Sequence, residues 1–256
     1  MSEDDGALLS VRDLARSYGG VHAVNGVSFD IPRGSLTGMI GPNGAGKSTV
    51  LGMIAGAIRP DRGSILLEGQ EIAGLPAHKA SRRGVIRTFQ AASVFPRMTV
   101  VENLLLGVPP WDGERLTGAL VRRRRWRGEE RNQIDRARSL LERLGLWSLG
   151  DAYAGELSGG QKRLVEIGRA MMSRPKLLLL DEPMAGVSRT LAPTIEALIA
   201  ELRDEGMTVL LIEHELALVE RLCSPVIVLG QGRVLMQGKM DEARANPEVR
   251  RAYLVG

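Results

Sequence analysis

The sequence is poor in several things, and each shortage narrows what the chain can be. It holds one cysteine, Cys223, so no disulfide can form within the chain, which fits a reducing compartment. The formal net charge is only +4, too small by itself to mark a nucleic-acid footprint. No run approaches the roughly 18 apolar residues needed to span a bilayer. The longest apolar stretches, "KLLLLDEP" and "TVLLIEH", are of strand length, so any work at a membrane is expected to go through partner chains. The first residues, "MSEDDGALLS", are acidic and lack a basic region before an apolar one, so no secretory signal is expected. Low-complexity tracts and fixed-period repeats are absent too. What remains is 256 residues, 44% hydrophobic and 25% charged, enough for one large domain or a core with an inserted subdomain.

Periodicity sorts the chain into three kinds of structure. "LLSVR" (8–12) reads as a short strand, and "VSFDIP" alternates Val27, Phe29 and Ile31 with polar residues, as a half-buried strand does. "GSILLEGQEI" reads as strand, turn, strand, so the N-terminal third is expected to carry a small antiparallel sheet. From about 98 to 150 the apolar spacing turns helical, in "MTVVENLLLG" and "IDRARSLLERLGL". "LLLLD" (177–181), "TVLLIE" (208–213) and "PVIVLG" (225–230) are apolar on both faces, the pattern of central parallel strands, with the helix "TIEALIAELRDEG" between the first two. The expected class is α/β: a parallel core, an antiparallel β piece and a mostly helical insertion.

One glycine-rich loop stands between an apolar strand and a helix. "GPNGAGKS" matches G-x-x-x-x-G-K-[ST] from Gly41 to Ser48. In that setting Gly41, Pro42, Asn43, Gly44, Ala45, Gly46, Lys47, Ser48 and Thr49 would wrap a triphosphate with backbone N–H groups and the start of a helix. Lys47 would reach the β- and γ-phosphates, and the Ser48 hydroxyl would ligate Mg²⁺. "LLLLDEP" supplies a second metal ligand, Asp181, at the end of its strand. If strand geometry persists, Glu182 points the other way, toward an attacking water, as general base or water-positioner.

"LSGGQ", Leu157 to Gln161, raises a further question. Ser158 and Gln161 fit the capping box S-x-x-Q of a helix start. A cap alone does not need Gly159 and Gly160, since glycine costs about 1 kcal/mol per helical position. Two bare residues there suggest that an anion approaches the backbone. It is not a second triphosphate loop. Gly155 and Gly160 have the spacing, but Gln161 stands where lysine should, and "DAYAGE" before it is no buried strand. Two chains placed head to tail would resolve this, each pressing its "SGGQ" on the γ-phosphate held by the other.

The glycine loop, "LSGGQ", "LLLLDEP" and a histidine after the next strand, in this order, resemble the nucleotide-binding subunit of an ABC transporter, from about Leu8 to Gly238. The resemblance implies a P-loop NTPase fold with a RecA-like parallel core at about 8–90 and 165–238, an α-helical subdomain at about 91–164 and a C-terminal tail at 239–256. It implies ATP and Mg²⁺ as cofactors and a sandwich dimer. Gln90, in "RTFQ", corresponds to the Q-loop glutamine near Mg²⁺ or the attacking water. His214 corresponds to the switch histidine that contacts the γ-phosphate and holds Glu182, and Tyr18, in "RSYGG", to the aromatic that stacks on adenine. The string "EHE" is not H-E-x-x-H, because Leu218 occupies the second histidine position. "AGVS" (185–188) departs from the family's commoner "SALD" by carrying Ser188 for the aspartate.

"RRGVIRTFQAASVFPRMTVVENL" (82–104), the insertion at about 108–135 and the tail "ANPEVRRAYLVG" are similar to branched-chain amino-acid importer ATPases. The function implied is the ATP-hydrolysing motor of a bacterial importer for such amino acids or related small polar solutes. The alternatives are the ATPase of a lipid or lipopolysaccharide exporter and a soluble, non-transport ABC ATPase. Expected partners are a second copy or a sister ATPase, integral-membrane permeases and, indirectly, an extracytoplasmic solute-binding protein, with no nucleic acid. The expected place is cytoplasmic, on the inner face of the bacterial cell membrane. "VRRRRWRGEER" (121–131) reads as a solvated helix face or flexible insertion, with Trp126 among anionic lipid headgroups as the functional alternative.

Overall fold

The computed structural model describes residues 6–88, 93–109 and 123–255. They fall into two compact units, Met1–Gln90 with Pro175–Ala185 and Glu196–Gly256, and Ala91–Arg174 with Gly186–Ile195. The first unit begins with β1 (Ala7–Tyr18) and β2 (Val21–Pro32), a long antiparallel pair. The strand read over 8–12 is therefore longer, because it continues past a register shift between Val11 and Leu14. Asp13 makes that shift with φ 47°, and its N–H donates to the Ser28 hydroxyl at 2.9 Å. Then come β3 (Leu36–Ile40), α1 (Lys47–Ile54), β4 (Arg62–Leu67), β5 (Gln70–Glu71), α2 (Ala77–Arg83) and β6 (Val85–Arg87). Both α2 and β6 escape periodicity, being seven and three residues long.

The second unit is helical, with α3 (Val100–Leu105), α4 (Arg123–Arg143) and α5 (Gly159–Met172). Thr99 caps α3. Its hydroxyl accepts from the Glu102 N–H at 3.2 Å, and Glu102 returns the bond to the Thr99 N–H at 2.8 Å. Buried Asn103 ties the preceding segment to this helix through the Phe95 N–H and the Phe95 and Thr99 carbonyls. Arg136 of α4 donates to the carbonyls of Met171 and Met172, satisfying the open end of α5. The sequence boundary at 164 falls inside α5, which runs unbroken, and the unit extends to Arg174. Thr99→Ala is expected to cost about 1 kcal/mol, read as a lower denaturant midpoint at unchanged slope.

The chain then forms β7 (Leu177–Asp181), α6 (Ala192–Asp204), β8 (Thr208–Ile212), α7 (Leu216–Leu222), β9 (Val226–Gly230), β10 (Arg233–Gly238), α8 (Met240–Ala245) and α9 (Pro247–Val255). The first unit holds two sheets among the described residues. One is antiparallel, ordered β2-β1-β4-β5, and the other is ordered β10-β9-β3-β8-β7-β6. The second is parallel except for the edge strand β10. Every residue of β3, β7, β8 and β9 is buried, as their double-sided apolar pattern requires. The core under α1 joins Val50, Leu51, Met53 and Ile54 to Leu179, Leu210 and Ile227. It thereby fixes the helix that begins at Lys47 relative to the carboxyl ends of β3, β7 and β8.

Candidate functional site

The residues that the sequence singles out gather at the carboxyl ends of β3, β7 and β8, three neighbouring parallel strands of one sheet. Met39 of β3 and Asp181 of β7 both register on Ile212 of β8. The glycine loop follows β3. Gly46, the residue before α1, has φ 100°, and a Cβ there would lie 2.5 Å from the Ala23 carbonyl oxygen, so only glycine fits. No side chain caps α1, which leaves its first-turn N–H groups available to an anion. Lys47 is buried, and its Nζ donates to the carbonyls of Gly41 at 2.7 Å and Pro42 at 3.0 Å. Burial pulls its pKa below the usual lysine range, while the charges of Glu182 and Asp181 push the other way.

Asp181 ends β7 fully buried. Its Oδ2 accepts from Arg87 Nη2 at 2.7 Å, and its Oδ1 is buried with no partner among the described residues. Asp181 thus keeps one buried carboxylate oxygen unengaged, and the exposed Ser48 stands in the first turn of α1; a carboxylate and a hydroxyl are oxygen donors of the kind a hard divalent cation takes. Glu182 does not continue the strand. Its φ is 49°, in the left-handed region, so strand alternation does not set its direction. A backbone bond does, from the Glu182 N–H to the Ile212 carbonyl at 3.0 Å. The Glu182 carboxylate meets His214, Oε1 to Nε2, at 2.9 Å. A carboxylate only accepts, so Nε2 carries the hydrogen.

Glu213 and Arg87 are additions that motif reading missed. Glu213 Oε1 accepts from the Met184 N–H at 2.9 Å, and Oε2 from the His214 N–H at 3.3 Å. It therefore braces the turn after β7 and the backbone of His214 together. Burial lifts its pKa above the usual carboxylate range, against the opposing pull of those two N–H groups. A lone Glu beside a His gives no sequence signal of this. Arg87 lies three residues before Gln90, and nothing local marks its partner.

A family model described as ABC transporter matches residues 24–185. The chain belongs to the ABC transporter family. It is 42% identical over 248 residues to the high-affinity branched-chain amino acid transport ATP-binding protein BraF of Pseudomonas aeruginosa, covering 96% of this chain and 97% of that one. LivG of Escherichia coli, with the same description, is 40% identical at the same coverage. A crystal structure of a nucleotide-free ATP-binding cassette from an ABC transporter superposes with a TM-score of 0.82 at 35% identity, covering 96% of this chain and 98% of that one.

Ser158 caps α5 with the expected box: its hydroxyl accepts from the Gln161 N–H at 3.3 Å, and Gln161 Oε1 accepts from the Ser158 N–H at 2.9 Å. The two glycines divide. Gly160 is buried, and a Cβ on it would meet Leu191 Cδ2 at 2.3 Å, so packing within the second unit explains it. Gly159 is exposed, with only the Gly186 carbonyl oxygen near, at 3.8 Å from a built Cβ. Packing thus gives Gly160 a reason of its own to lack a side chain, whereas nothing packed against Gly159 requires one to be absent. Tyr18 is 45% exposed at the end of β1, with the Arg16 guanidinium 4.9 Å from its ring centroid and Arg16 paired with Asp61 at 2.6 Å. Ser188, at the departed D-loop position, lies 3.0 Å from the Thr190 hydroxyl. Gln90 and Arg122 lie outside the described residues, as does much of the insertion.

Proposed function

We propose that the chain is the ATP-hydrolysing motor subunit of a bacterial importer for branched-chain amino acids or related small polar solutes. The observation that carries it is the 2.9 Å pair of Glu182 and His214 beside a loop whose Lys47 is influenced by both Asp181 and Glu182. The solute class rests on the printed descriptions of the relatives, BraF and LivG. In this account residues 41–49 bind the triphosphate, and Lys47 leaves its two loop carbonyls for the β- and γ-phosphates. Glu182 takes the proton of the attacking water, and His214 Nε2 holds that carboxylate in place. Ser48 and Asp181, with Gln90, hold magnesium, which when bound neutralises charge developing on the phosphates. The first unit is the nucleotide-binding core and the second the helical subdomain, with 239–256 as the tail.

The second half of the site comes from another subunit, a copy or a sister ATPase, whose Leu157–Gln161 segment closes on the γ-phosphate. Among the described residues no helix is long and apolar enough to cross a membrane. In this account contact with the membrane runs through permease subunits, and the solute-binding protein acts only through them. Tyr18 stacks on adenine. Tyr18→Ala is expected to weaken ATP binding about tenfold or more while leaving the affinity for inorganic triphosphate unchanged. The overall test is reconstitution: with its permeases and binding protein in vesicles, the chain should hydrolyse ATP faster when leucine, isoleucine or valine is supplied. Stimulation by lipopolysaccharide, or co-purification with ribosomes instead of permeases, would replace this assignment.

A further inference from the structure

Arg87 has no part in the proposed hydrolysis, yet it touches the carboxylate assigned to the metal. It ends β6, an edge strand of three residues paired in parallel with β7, and registers on Leu179, two residues before Asp181 on the same face. Its Nη2 donates to Asp181 Oδ2 at 2.7 Å, with the arginine side chain 19% exposed and the aspartate 0%. The Arg87 Nε is buried and has no partner among the described residues. The carboxylate is thus divided. One oxygen is taken by a fixed cation, and the other, Oδ1, is left without a partner among the described residues.

We propose that Arg87 is a positioning residue for the metal, an internal countercation that holds the Asp181 carboxylate in place before magnesium arrives and lowers the affinity for the ion. This rests on the assignment of Asp181 as the magnesium carboxylate. Two effects of Arg87 oppose each other, and their sizes decide the sign. Holding one carboxylate oxygen helps the ion, but the side chain is fully buried and its neighbours already narrow its freedom, so this gain is the smaller effect. Placing a guanidinium across the same carboxylate repels a divalent ion, and that repulsion is worth about tenfold in affinity even at the dielectric of water. Repulsion wins. The arrangement keeps a buried carboxylate from standing alone when the nucleotide has left, since an unpaired buried charge is strongly destabilising. It also keeps the ion from binding so tightly that it stays after turnover.

Magnesium is titrated against the protein saturated with a non-hydrolysable ATP analogue, and the midpoint is read from the rise in Tm. Arg87→Gln keeps a donor to Oδ2 but removes the charge. It is expected to lower the Mg²⁺ midpoint about tenfold while lowering the Tm of the metal-free protein, a Tm that saturating Mg²⁺ largely restores. Arg87→Lys keeps the charge and is expected to stay within about twofold of the wild-type midpoint. An unchanged or raised midpoint in Arg87→Gln overturns the proposal. Should that protein not fold, a Lys midpoint shifted tenfold in either direction overturns it instead, and an unshifted one supports it. Asp181→Asn separates the two assignments. If it leaves the magnesium midpoint at the wild-type value, Asp181 is not the metal carboxylate and the role of Arg87 falls with it. If it abolishes the dependence and Arg87→Gln changes nothing, only Arg87 is misassigned.

Discussion

Glu182→Gln is expected to bind ATP with near wild-type affinity and to hydrolyse it at least ~100-fold more slowly, a loss of about 2.7 kcal/mol of transition-state stabilisation. The substitution is close to isosteric. The amide oxygen can still accept from His214 Nε2, so the 2.9 Å contact and the local fold have no reason to change. What disappears is the ability to take a proton from water. The phosphate loop and Asp181 are untouched, so nucleotide affinity should hold. ATP therefore accumulates on the protein, and the closed dimer should become isolable by size-exclusion chromatography in Mg·ATP. The single-turnover rate of phosphate release is the decisive measurement. A Glu182→Gln protein that turns over like the wild type would remove Glu182 from the chemistry, whatever its geometry.

The second large effect concerns Gly159. Gly159→Asp is expected to fold normally, since the position is exposed and open, and to lose ATP-driven dimerisation and hydrolysis by more than ~100-fold. A carboxylate set against a γ-phosphate of another subunit is repelled by roughly 4 kcal/mol per charge pair at 4 Å and an effective dielectric near 20. Gly160→Ala makes the informative contrast. Its Cβ would collide with Leu191 Cδ2, so it should cost about 1 kcal/mol of stability through displacement of that side chain. Gly159→Ala, with no clash inside the chain and no charge, should fold like the wild type and lose less ATP-driven dimerisation and hydrolysis than Gly159→Asp. Measuring dimer mass and ATPase rate across the three variants separates an anion site from packing. If Gly159→Asp dimerises and hydrolyses ATP normally, the capping box of Ser158 and Gln161 is all this segment does.

Much of the candidate site is legible in the sequence because its parts are local. The loop at 41–49, the strand ending in Asp181 and the cap at Ser158 each lie within one short stretch, where spacing and flanking pattern carry the physics. What stayed hidden is non-local or conformational. The Arg87–Asp181 pair joins residues far apart in sequence across β6 and β7, and a three-residue strand has no periodicity to reveal it. Gly160 looks like Gly159 until Leu191 is placed against it. The turn of Glu182 into the left-handed region breaks the strand alternation that its neighbours suggest, and no residue type nearby announces it. The full length of β1 is hidden because "RDL" interrupts the apolar pattern at the register shift.

The sheet order has a consequence for how the chain is made. The central strand β3 pairs only with β8 and β9, both of which lie near the end of the sequence. A ribosome working at about 5–20 residues per second leaves β3 without either neighbour for on the order of ten seconds. Its five buried residues stay exposed through that interval, with a nearly complete phosphate loop attached. Asp181 and His214 are also made late, so the proposed nucleotide site is incomplete through the same interval. Chains cut short before Ile212 should therefore aggregate rather than wait, and production of the intact protein should depend on chaperone cover until β8 closes the sheet.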